Sequence, residues 1–182
     1  MRIDLFKKRP VVVIIRGAPS TGKTTVSFEL RKRLPNSFII GIDKIIAMNV
    51  SEKLGRKEKI REWGKMRSVG HELSDVLMSY LLKKRMNVII EEVLPDLNRV
   101  KEVVKLAKSL GADSFVFELM APLETIEKRE KMRKDTNPEK PVKMIVDLLD
   151  KNPYPEATRI DTGKFSPTEC AEKIIGIVEK SI

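Results

Sequence analysis

The chain has 182 residues, 41% of them hydrophobic and 34% charged, the balance of a folded globular protein rather than a disordered one. Its single cysteine, Cys170, rules out an internal disulfide and a cysteine-built metal site, and the single His71 argues against a zinc or iron centre. A formal charge of +10 points to an anionic partner, for which nucleotide phosphates or nucleic acid would both serve.

The opening stretch MRIDLFKKRPVVVII sets basic residues before an apolar run. The run is too short for a signal sequence or a membrane span and leads into a glycine turn, so a cytoplasmic protein is expected. Val11–Ile15 reads as a strand buried on both faces. Directly after it, Gly17-Ala18-Pro19-Ser20-Thr21-Gly22-Lys23-Thr24 fits G-x-x-x-x-G-K-[ST] at every fixed position, and a helical pattern follows over Gly22–Leu34. Strand, glycine turn and helix together are the context in which this motif grips phosphate. The glycines let the backbone curl its N–H groups inward, and the helix adds its positive end. Lys23 is expected to reach the β- and γ-phosphates, Thr24 to place its hydroxyl on Mg²⁺, and Thr25 to bond the α-phosphate.

A second strand, Ser37–Ile42, leads to Asp43. Strand C-terminal ends face the ligand crevice in open α/β sheets, and a carboxylate there can accept or orient the proton of an acceptor hydroxyl. The same aspartate would also suit the start of a short helix. A loop at Asn49–Glu58 precedes a long helix over Glu58–Arg85. The third strand, Asn87–Glu92, ends in two acids; strand neighbours point to opposite faces, so one of them can serve a metal, and Glu91 is the choice ahead of Glu92.

A helix at Leu97–Leu110 and a strand at Ser114–Leu119 come next, then a basic helix at Leu123–Lys134. In that helix Arg129 and Arg133 share a face, where two guanidiniums can close over a transferring phosphoryl group, although its alternating Glu and Lys also read as a solvated surface. The segment at about 134–144, polar and with two prolines, is expected to be a lid. A fifth strand at Ala157–Asp161 runs into Thr162-Gly163, which can turn the backbone past an adenine, and a last helix spans Thr168–Lys180.

This alternation predicts one α/β domain over residues 1–182, a five-stranded parallel sheet sandwiched between helices. No N-K-x-D base-reading stretch of a GTPase is present, and the chain is short for a motor or helicase. The absence of glutamine and the wealth of Lys, Glu and Arg match a thermophile bias.

The segments GAPSTGKTT, LPNSFIIGIDKIIAM, NVIIEEVL, ELMAPLETIEKREKMRKD and ATRIDTGKFSPTECAEKII give the chain a resemblance, over nearly its whole length, to P-loop kinases of the chloramphenicol phosphotransferase type. The resemblance implies a P-loop kinase fold with a short lid, Asp43 as catalytic base, and Lys23 and Thr24 as the nucleotide-holding pair. It also puts Arg129 and Arg133 at the paired basic positions leading into the lid. Glu91-Glu92 replaces the aspartate pair usual in that family, and Ser51–His71, where an acceptor pocket is expected, departs from its pattern. The function expected is transfer of the γ-phosphate of ATP, with Mg²⁺, to a hydroxyl of a small-molecule acceptor. The alternatives are an RNA or polynucleotide kinase and a non-catalytic ATP-binding regulator. Aromatic residues, at 5%, leave little platform for stacked bases, so nucleic acid is not favoured.

Overall fold

A computed structural model describes residues 9–51, 53–132 and 142–182. Strands β1 (Val11–Gly17), β2 (Ser37–Gly41), β3 (Asn87–Glu92), β4 (Asp113–Met120) and β5 (Thr158–Asp161) form one parallel sheet in the order β2-β3-β1-β4-β5. The central strand β1 is buried along its entire length, which is why its run of valines and isoleucines shows no polar alternation.

Seven helices are described: α1 (Lys23–Arg31), α2 (Ile42–Ala47), α3 (Arg56–Lys83), α4 (Leu97–Ser109), α5 (Leu123–Lys131), α6 (Val142–Lys151) and α7 (Pro167–Ser181). The two-residue period of β1 divides the core. Val11, Val13 and Ile15 pack with Val26 and Leu30 of α1 and with Ile174, Ile175 and Val178 of α7. Val12 and Ile14 pack on the other side with Met78 and Leu82 of α3 and with Val100 and Val103 of α4. Each such side chain stabilises the fold by about 1.5–3 kcal/mol. Local signals set the helix starts: Ser166 and Glu169 form a reciprocal cap on α7, with Pro167 at its first position, and Asp96 accepts from the Asn98 N–H at the head of α4.

Three expectations change. Strand β2 ends at Gly41, one residue earlier than expected, and Ile42 already belongs to α2, whose first turn holds Asp43 just past the strand. Helix α6 was not expected. Its sequence VKMIVDLLDK has apolar residues at helical spacing, and the polar, proline-containing segment expected at about 134–144 overlaps only its first turn. Helix α5 ends at Lys131. Arg133 and residues 134–141 of the expected lid lie outside the described residues, whereas residues 142–144 open α6. None of the described helices is long and apolar enough to cross a membrane.

Candidate active site

The C-terminal end of β1 runs straight into the phosphate loop, and two glycines allow its path. A Cβ on Gly17 would lie 2.4 Å from the Leu119 carbonyl oxygen of β4, so only glycine fits where the two strands' ends converge. Gly22 is left-handed (φ 89°) and starts α1, and Ser20 between them also has positive φ (61°). Within the turn the buried Thr21 hydroxyl donates to the Ala18 carbonyl at 2.8 Å, and Pro19 occupies the bend between them. No side chain caps α1 and no acid sits in its first turn, which leaves its positive end available to an anion. Lys23 folds back over the loop, its Nζ donating to the carbonyls of Gly17 (2.8 Å) and Ala18 (2.9 Å). Thr24 and Thr25 are exposed at the head of the helix.

The structure brings Thr24 to Glu91. The threonine hydroxyl donates to Glu91 Oε1 at 3.2 Å, and Lys44 Nζ lies 3.1 Å from the same oxygen. Glu91 is only 6% exposed, and its other oxygen is buried with no hydrogen-bond partner. Gly41 makes room for this carboxylate: a Cβ there would meet Glu91 Oε1 at 3.1 Å. Hard oxygen donors from Thr24 and Glu91, one of them unsatisfied, are the donor set that suits Mg²⁺, which takes few protein ligands and completes its shell with phosphate and water. Among the described residues no group of three or more His, Cys, Asp and Glu could hold a metal by itself. Glu92 goes the other way: its Oε1 lies 2.8 Å from His71 Nε2 and accepts from it when that ring nitrogen carries the proton.

Asp43 is half-buried in the first turn of α2, two residues beyond Gly41, which pairs in register with Glu91. Its neighbour Lys44 links that turn to the Glu91 carboxylate and lies 5.0 Å from the centre of the Phe28 ring on α1. Sequence reasoning passed over Lys44, although a lysine next to a strand-end aspartate was a visible signal.

Arg129 is bonded to the turn after β5. Its guanidinium donates to the Thr162 hydroxyl (3.1 Å) and carbonyl (2.8 Å), and Thr162 in turn is bonded to the Met120 carbonyl through its N–H (2.8 Å). The Gly163 N–H donates to Asp161 Oδ1 at 2.8 Å, and a Cβ on Gly163 would come within 3.0 Å of Pro122 Cδ. Arg129 therefore clamps the turn after β5 against the end of β4. The next residue, Glu130, accepts from the Ser20 hydroxyl of the phosphate loop and joins α5 to it. Nothing in the sequence pattern singled out Glu130.

Beneath the loop lies a row of charges that sequence reasoning also missed. Glu92, Arg16, Glu118 and Arg159 are register neighbours across β3, β1, β4 and β5. Arg16 is wholly buried; its Nε lies 3.3 Å from Glu118 Oε2, and its Nη2 donates to the Asn152 carbonyl just past α6. Arg159 Nε approaches the other Glu118 oxygen at 3.1 Å. Burial pulls the Arg16 pKa below its ordinary value; Glu118 opposes that shift and Arg159 adds to it. On α4, burial is the largest single influence on Arg99 and works against its charge, but the hydrogen bonds and charge of Asp75, joined by Glu92 and Glu102, together outweigh it and raise the pKa. A charged residue closing an all-apolar strand was the available clue to Arg16.

The profile of the family described as AAA domain matches residues 12–150. Comparison with curated proteins gives no match. Among solved structures, the tunicamycin resistance protein of Deinococcus radiodurans superposes with a TM-score of 0.65 at 22% identity, over 93% of this chain and 96% of the other. The APS kinase of Mycobacterium tuberculosis, in complex with AMPPNP and APS, gives 0.62 at 16% identity over 94% and 98%. Thymidylate kinase from Candida albicans gives 0.63 at 16% over 95% and 92%. At these identities the likeness is one of fold. A phosphate loop on the central strand, a parallel sheet in the order β2-β3-β1-β4-β5 and a family match over most of the length agree, and the chain belongs to the AAA domain family with a P-loop kinase-like fold.

Proposed function

We propose that the chain is an ATP- and Mg²⁺-dependent kinase that moves the γ-phosphate to a hydroxyl of a small-molecule acceptor. The observation that carries this reading is the meeting of Thr24 with the half-unsatisfied Glu91 at the head of α1, next to the strand end from which α2 presents Asp43. Two of the structural neighbours are named kinases, and one holds AMPPNP together with APS. The charge of +10 favours encounter with anionic nucleotides.

In this reading the loop from Gly17 to Thr25 cradles the phosphates, and Lys23 turns from the Gly17 and Ala18 carbonyls to the β- and γ-oxygens. Thr24 and Glu91 would hold Mg²⁺, which when bound would neutralise phosphate charge. Thr162 and Gly163 pass along the adenine, with Arg129 fixing their turn. Asp43 accepts the acceptor's hydroxyl proton as that oxygen bonds to the γ-phosphorus. The bond from phosphorus to the bridging oxygen breaks, and ADP leaves with its electron pair. Lys23 and Arg133 offset the charge of the moving group.

The test measures ATP consumption across a panel of hydroxyl-bearing acceptors for the wild type and Asp43→Asn. The variant is expected to bind ATP as before and to transfer about a hundredfold more slowly or worse. Unchanged turnover removes Asp43 from the chemistry, and ATP that binds but is never consumed with any acceptor points instead to a non-catalytic regulator.

A further inference from the structure

Helix α3 is apolar on two sides. Its inner side is committed: Met78, Leu81 and Leu82 enter the core beneath it, and Asp75 pairs with Arg99 of α4. Its outer flank carries Val69, Leu73, Val76, Leu77 and Tyr80, each between 36% and 66% exposed. Val69, Leu73, Val76 and Tyr80 follow one another at steps of four, three and four, the spacing of a seam between two helices. The edge strand β2 adds Phe38, 41% exposed on the sheet side where Ile40 packs under α3. A soluble surface seldom gathers so many large apolar side chains on one line without a partner.

We propose that this flank pairs with the same flank of a second copy of the chain, α3 against α3 and antiparallel about a two-fold axis. Charge selects the second copy. Glu72 and Lys83 are eleven residues apart, within about 20° of each other around the helix, and so edge the same side of the seam. Setting Val76 opposite the partner's Leu77 also sets Leu73 opposite the partner's Tyr80. At that register Glu72 lies about 3 Å along the axis from the partner's Lys83, and symmetry repeats the pair. Lys84, whose Nζ is 5.7 Å from the centre of the Tyr80 ring, covers the seam's end. The stripe alone offers on the order of a few hundred Å², short of the roughly 800 Å² per partner of a stable interface, and Phe38 with the lysine stems extends it. The phosphate loop stays open, because α1 packs on the opposite face of the sheet.

Light scattering and sedimentation equilibrium test the pairing. The wild type is expected at twice 20.8 kDa at about 100 µM. Leu73→Glu and Val76→Glu are expected at the single-chain mass with unchanged circular dichroism because both positions are exposed, and with the melting temperature of wild type diluted until it too is a single chain. Glu72→Lys should weaken the dimer about tenfold, and adding Lys83→Glu should restore it. A wild type that stays at the single-chain mass, or glutamate variants that keep the doubled mass, overturns the proposal. A charge reversal that Lys83→Glu does not repair overturns the antiparallel register.

Discussion

The Thr24 hydroxyl and the Glu91 carboxylate meet at 3.2 Å across 67 positions of sequence, at the junction of the phosphate-loop helix and the end of β3. Glu91 keeps one buried oxygen unpaired there, so the site retains capacity for a cation. Glu91→Gln preserves the volume and removes the charge. Nucleotide binding measured calorimetrically without metal should be little changed, whereas the gain in affinity on adding Mg²⁺ should shrink and metal-dependent turnover fall about a hundredfold. An unaltered Mg²⁺ response would remove Glu91 from the metal site.

Two glycines of the same loop should respond differently to a methyl group. Gly17→Ala drives a Cβ to 2.4 Å from the Leu119 carbonyl, a backbone atom in the central sheet that cannot swing aside. Gly22→Ala meets nothing within 4 Å and suffers only its left-handed backbone. Urea unfolding should show a loss of about 2–5 kcal/mol for the first and about 1–2 kcal/mol for the second. Equal losses would mean that strain, not the clash with β4, governs both positions.

Glu118 sits between Arg16 and Arg159 in the buried row. Glu118→Ala leaves the Arg16 guanidinium buried without its counter-charge, at a cost of about 3–5 kcal/mol. Arg16→Met with Glu118→Leu removes both charges together and should recover most of that loss, because apolar residues of similar size avoid the desolvation of the pair. Chemical denaturation of the singles and the double decides it; additive losses would show that the two residues act independently.

What could be read from the residues alone followed their physics. The phosphate loop was readable because G-x-x-x-x-G-K-[ST] is a local motif whose backbone geometry demands those residue types. The five strands were readable because burial on both faces leaves unbroken apolar runs such as VVVII. Partners far apart in sequence were not. Ser20 with Glu130, Arg16 with Glu118 and Arg129 with Thr162 arise from strand order and helix placement, which no single window of sequence contains. Helix α6 was hidden differently: its pattern was present, but the helix is short and buries only Leu149 fully.

Arg129 spends its planar fork on two oxygens of Thr162. Lysine cannot reproduce that pair of bonds, so Arg129→Lys should loosen the turn while keeping the charge. If the turn lines the base, KM for ATP should rise about tenfold with a smaller change in kcat. A variant that loses kcat at constant KM would place Arg129 on the transferring phosphate instead.

Cys170 offers a measurement tied to pH. Its side chain is fully buried at the start of α7, with Sγ 3.7 Å from the Phe165 carbonyl, and burial, reinforced by Glu169, pushes the thiol's pKa up. A thiolate forms more readily in the unfolded chain than in the folded one. The contribution to stability is therefore complete below the unfolded pKa of about 8.5 and is lost as pH rises above it toward the folded value. Urea midpoints should fall for the wild type above about pH 8.5, and Cys170→Ala should flatten that part of the profile. The native thiol should also resist a disulfide reagent at neutral pH until the chain unfolds. Rapid labelling of the folded protein would show that α7 opens locally and exposes a thiol that packing otherwise keeps protonated.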